Sequence, residues 1–111
     1  MKPLEWAGSS LEVIRGFPEI ARQQIGYQLY RVQTGVDPSD WKPMSSIGAN
    51  VREIRIHVRG EYRVIYVATF EEAVYVLHAF RKKTRKTTKR DLSLATSRLT
   101  EVIKKRRERK P

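Results

Sequence analysis

Cysteine is absent from the sequence, which excludes disulfides, thiolate nucleophiles and every cysteine-based metal site. Histidine occurs only at positions 57 and 78, too few for a Cys/His zinc set, so no metal and no cofactor is expected. The chain lacks a G-x-S-x-G elbow and a glycine-rich phosphate loop. No apolar run approaches the roughly 18 residues of a membrane span, and the first ten residues, MKPLEWAGSS, lack the apolar stretch of a signal peptide. No repeat and no linker interrupts the chain. With 111 residues it is expected to fold as one domain, residues 1–111, with a single modest core. A soluble, cytoplasmic protein without membrane contact is the expectation.

Negative charge is scarce in one place. Residues 1–80 carry 9 basic and 9 acidic side chains, whereas residues 81–111 carry 14 basic and 3 acidic ones. The whole excess of +11 therefore lies in the last 31 residues. Seven of the ten residues from Arg81 to Arg90 are basic, directly after the apolar run AVYVLHAF. A concentrated block of this kind is the electrostatic footprint of a polyanion binder. The bland alternative is a solvated, solubilising tail.

Local patterns give a coarse architecture. KPLEW suits a short edge strand with Pro3 at its start. Ser9 and Ser10 cap a helix through LEVIRGF. Pro18 and Glu19 open a second helix, in which Ala21, Ile25, Leu29 and Val32 share one face and Gly35 is the stop. Gly26 costs that helix about 1 kcal/mol against Ala, which suggests a close approach to a sheet. Residues 35–49 are a turn-rich connection. VREIRIHV alternates, with Ile54, Ile56 and Val58 on one face and Glu53, Arg55 and His57 on the other. YRVIYVATF and AVYVLHAF read as central strands, joined antiparallel through the short FEEA link. Thr88, with Asp91 three residues on, caps a last helix with Leu92, Ala95, Leu99, Val102 and Ile103 as its stripe, and KKRRERKP frays from its end. The fold class is α+β. A three-strand antiparallel meander, with the possible edge strand, packs on two N-terminal helices and is followed by a basic C-terminal helix.

Within that meander, Arg55, His57, Arg63, His78, Phe80, Lys82 and Lys83 gather near one end of the sheet. Cations hold phosphate and an aromatic stacks an unpaired base, as single-stranded RNA requires. The same set suits cleavage by the RNA's own 2′-hydroxyl, which needs a base, an acid and cations for the phosphorane. Each residue also has an ordinary reading: His78 as a satisfied core histidine, His57 as a surface residue, Arg63 as the ion-pair partner of Glu53 or Glu72, Lys82 and Lys83 as solubilising flanks. Trp6 and Trp41 read as packing anchors. Only as a set do the cations and histidines point to a site.

Three stretches, GYQLYRVQTGVDPSDWKPMSSIGANVREIRI, REIRIHVRGEYRVIYV and VYVLHAFRKKTRKTTKRDLSLATSRL, closely resemble the phage-related, HigB-like branch of the RelE/ParE/HigB superfamily of type II toxins. The resemblance covers nearly the whole chain. It implies the RelE-like fold and a metal-independent mRNA endoribonuclease (mRNA interferase) that acts on the ribosome and inhibits translation. The implied partners are the ribosome and mRNA, and a cognate HigA-like helix-turn-helix antitoxin through which alone operator DNA is bound. Carried over by position, Arg63 matches the arginine at the scissile phosphate, Arg55 the basic position of the first hairpin strand, and His78, Arg81, Lys82 and Lys83 the basic segment at the end of the third. The expected catalytic set is Arg63, His78, Arg55 and Lys82; the expected RNA-binding set is His57, Phe80, Arg81, Lys83, Arg85 and Lys86. Relatives often use a Tyr or His near the C-terminus, and this chain has neither after Phe80. The acid or base then falls to His78, His57 or a lysine of lowered pKa. Two other readings remain: a ParE-like toxin that blocks DNA gyrase by binding, and a plain RNA- or ribosome-binding module.

Overall fold

β-branched and aromatic residues dominate three long strands, and these make the centre of a five-stranded sheet. The computed structural model describes residues 1–109. In chain order the elements are β1 (Leu4–Trp6), α1 (Ser10–Arg15), α2 (Glu19–Gln33), β2 (Trp41–Pro43), β3 (Val51–His57), β4 (Glu61–Val67), β5 (Val74–Arg81) and α3 (Lys89–Arg109). The sheet order is β1-β5-β4-β3-β2. β1 runs parallel to β5, and the other pairings are antiparallel. The α+β architecture, the meander and the N-terminal edge strand match the sequence reading.

The two faces of the sheet carry separate cores. Against one lie Ala21, Ile25, Leu29 and Val32 of α2 and Ile14 of α1, packed on Ile54, Ile56, Val64 and Tyr66. Against the other, Ala95, Leu99 and Val102 of α3 pack on Val51, Ile65, Val67 and Leu77. Period-2 alternation in β3 and β4 delivers one side chain in two to each core. At Gly35, φ is +85°, and its N–H and that of Val36 close on the carbonyls of Val32 and Arg31, the Schellman stop of α2.

Three local expectations are corrected. Residues 35–49 are not wholly a turn-rich connection, because Trp41–Pro43 adds a fifth strand to β3. A three-residue strand shows no alternation, and Pro43 fits because β2 is an edge. The close approach expected at Gly26 is absent: a Cβ there would meet nothing within 4 Å. Gly26→Ala is therefore expected to stabilise the protein by about 0.5–1 kcal/mol, read as a rise in Tm. Finally, α3 does not fray from Lys104 but continues to Arg109. Arg106 pairs with Glu72 at 2.6 Å and stacks on Phe70 at 3.9 Å, which pins the last turns. That contact holds the Glu72 carboxyl well below the usual range, at about 2. Lys110 and Pro111 of the expected basic tail lie outside the described residues.

Candidate nucleic-acid site

On the α3 side of the sheet, the rows nearest β5's end are charged instead of apolar. Arg55 of β3 lies directly opposite Arg63 of β4, and Arg63 lies opposite Phe80 of β5. In the next row Lys42 of β2 opposes Glu53, Glu53 opposes Ile65, and Ile65 opposes His78. Like charges directly opposite are destabilising, so Arg55 against Arg63 is a cost that the fold carries.

One carboxylate anchors the group. Glu53 is 0 % exposed. Its Oε1 lies 3.8 Å from the Lys42 Nζ and 3.7 Å from the Arg63 Nε, close enough for charge attraction but too long for a hydrogen bond. Its Oε2 accepts from the Thr87 hydroxyl at 3.1 Å, which ties the basic loop 82–88 to the sheet. Arg63, only 5 % exposed, donates to the Tyr62 carbonyl at 2.9 Å and to Glu61 Oε1 at 3.1 Å. The Nε atoms of Arg55 and Arg63 and Oε1 of Glu53 are buried without hydrogen-bond partners. Lys82 is pushed below the ordinary lysine value, first by burial and then by Arg63, Lys42 and Arg55, with Glu53 opposing. Lys42 and Arg63 thus face one buried carboxylate, with Arg55 and Lys82 close by, and two buried N–H donors are unspent. Buried donors are normally satisfied, and among the described residues these two are not.

The β-bulge between β4 and β5 re-aims His78. The register slips between Ile65 and Tyr66, so Leu77 reaches the α3 core while His78 contacts Asp91 on α3. Bulges commonly redirect side chains in this way. Nε2 of His78 lies 2.7 Å from Asp91 Oδ1 and its Nδ1 lies 3.0 Å from Arg98 Nη1. Arg98 can only donate, so Nδ1 accepts and Nε2–H donates to Asp91: the ring is neutral. Burial pushes its pKa down, with Asp91 pulling the other way. The ring stacks on Phe80, centroids 5.4 Å apart at 24°. Asp91 also accepts from Thr88 at 2.7 Å, and its N–H bonds the Thr88 hydroxyl at 3.2 Å. The expected α3 cap is thus also the support of His78.

His57 lies outside this group. It is exposed, bridging Asp40 at 2.6 Å and Glu61 at 2.8 Å. Asp40 and then Glu61 raise its pKa, and it reaches Arg63 only through Glu61. Arg81 faces away, its guanidinium 5.7 Å over the Tyr62 ring in the other core. Lys83, Arg85 and Lys86 are exposed on the loop. Sequence reasoning missed Lys42, Thr87 and Arg98. Lys42 stands on the unrecognised β2, and Arg98 sits one turn from the α3 stripe with no signal of its own. Glu53 was visible only as a possible partner of Arg63.

The two histidines give stability opposite pH dependences. Below 6.5, the ordinary value, the unfolded chain protonates His78 before the folded one does. Its contribution is therefore present above 6.5 and lost as pH falls through the lower folded value. His57, with its folded value raised, contributes below 6.5 and loses that contribution as pH rises through the folded value. We expect stability of His57→Gln to increase with pH across 5.5–7.5, and that of His78→Gln to decrease relative to it. Urea midpoints at stepped pH measure both; parallel profiles would contradict the assignment.

The five-stranded sheet, the helices on its two faces and the cluster of cations around Glu53 define a small α+β protein with a basic sheet end. The profile of the family described as Phage derived protein Gp49-like (DUF891) matches residues 12–100. The chain belongs to this family, a RelE/HigB-like toxin family associated with toxin–antitoxin pairs. No curated protein matches the chain.

Proposed function

We propose that the protein is a HigB-like toxin that cuts mRNA on the ribosome and is silenced by a cognate antitoxin. The observation that carries this is the Arg55–Arg63 pair with its two unpartnered buried N–H donors. As the 2′-hydroxyl gives its proton to water and its oxygen attacks phosphorus, the charge that builds on the non-bridging oxygens of a phosphodiester there is neutralised. The P–O5′ bond breaks, and the leaving 5′-oxygen needs a proton. We assign that proton to Lys82, whose pKa is lowered by burial and then by Arg63, Lys42 and Arg55. His78, with both nitrogens engaged, holds Phe80 and the start of α3 in place, so its role is positioning. Phe80 stacks a base, and Lys83, Arg85 and Lys86 hold flanking phosphates. Arg81 and His57 contribute at the margin.

On this reading cleavage falls at alkaline pH with an inflection below the 10.5 of an ordinary lysine. Lys82→Arg, which keeps its proton, is expected to move that inflection upward in single-turnover rates; an unmoved inflection assigns the proton elsewhere. The gyrase-blocking alternative is separated by the response to induced expression. Arrest of protein synthesis without DNA breaks supports the nuclease, whereas DNA breaks with translation intact sink it.

A further inference from the structure

Beside Lys42 and Thr87 the cationic cluster opens into a cleft of about 340 Å³ between β2 with its following turn and the basic loop. Small-molecule sites span roughly 300–1,000 Å³, so the cleft has room for more than an inorganic anion. Its floor includes buried Met44 and half-buried Leu92. Ser45 and Ser46 line one wall, Arg85 and Lys86 the other. The serine turn is fixed by backbone bonds from Met44 N–H to Val51 O at 2.8 Å and from Ile47 N–H to Met44 O at 3.0 Å. Among the described residues neither serine hydroxyl bonds within the chain. Past Lys86 a smaller hollow of about 150 Å³ runs by Phe80 and Lys82 to Asp91.

The two recesses share Lys86, and each is lined by one cation of the cluster, Lys42 in the cleft and Lys82 in the hollow. A strand held there by one phosphate carries its neighbouring nucleotides to either side. The hollow offers an aromatic face, which stacks any base. The larger cleft offers hydroxyls that both donate and accept above an apolar floor, the equipment for reading the edge of a splayed base. We propose that this cleft is a nucleobase subsite. It receives the nucleotide next to the phosphate on Arg55 and Arg63 and selects its base through Ser45 and Ser46. The inference rests on the reading that the cluster binds RNA phosphate.

Two experiments test it on the full chain. In the first, ribosomes are programmed with an mRNA whose A-site codon is 2′-O-methylated against cleavage and carries 4-thiouridine at one position at a time. Irradiation with the wild-type protein is expected to crosslink one position to peptides within 42–46 or 85–87. Crosslinks confined to other peptides overturn the subsite. In the second, Ser45→Ala/Ser46→Ala is compared with wild type on unmodified messages. Base preference at one nucleotide beside the cut, measured relative to total cleavage, is expected to flatten by about tenfold. An unchanged preference at every position overturns the proposal. If the wild type cuts no message, the nuclease reading falls by itself, and the crosslink alone decides the subsite.

Discussion

Arg63→Ala is expected to lower mRNA cleavage by about 10²–10³-fold, the loss typical when a preorganised donor to a developing oxyanion is removed. The side chain is built for that task. It is almost wholly buried, two of its nitrogens are fixed on Tyr62 O and Glu61, and its Nε has no partner. Arg63→Lys is expected to recover only part of the loss, since an ammonium lacks the planar fork that matches phosphate. Stability separates this from unfolding: Lys42 and Thr87 still hold Glu53 in the variant, so a cooperative melt and antitoxin binding are expected to survive. An Arg63→Ala variant that folds and cuts at the wild-type rate would remove Arg63 from the site.

Glu53→Gln tests the same cluster from its other side. Without that buried carboxylate, Lys42 and Lys82 lose their counter-charge and Arg63 keeps only the more exposed Glu61. Breaking a buried ionic group by removing one partner costs roughly 3–5 kcal/mol, a fall in Tm on the order of 10–20 °C for a chain of this size. An anion that binds the folded state restores stability by mass action. Phosphate is therefore expected to recover much of the lost Tm, and chloride at equal ionic strength much less. A variant as stable as wild type, or one rescued equally by both salts, would mean that the cations do not form a common anion site.

What the sequence disclosed follows the physics of each element. The central strands and α2 were legible because burial imposes periodicity: Ala21, Ile25, Leu29 and Val32 are all buried, as their spacing requires. The cap of α3 was legible because Thr88 and Asp91 act over three residues. Arg55, Arg63 and Phe80 were expected near one end of the sheet, and the register puts them in one row. Lys42 was hidden because three residues carry no period and because its neighbour Glu53 is recruited from another strand. The inward turn of His78 depends on a bulge that no local pattern announces, and its pairing with Arg98 joins residues 20 apart in the chain. Arg81 follows the regular alternation after His78, opposite in face to Phe80. Gly26 shows the converse: a residue with a clear local cost had no compensating contact within the chain.

The central claim is that the Arg55–Arg63 pair and its companions cut mRNA engaged by the ribosome. Induced expression in bacteria, followed by mapping of mRNA 5′ ends, tests it most directly, with wild type and Arg63→Ala compared and translation either running or blocked. New 5′ ends are expected at a fixed position within translated codons, lost in Arg63→Ala and lost when translation is blocked. Growth arrest with intact messages would contradict it.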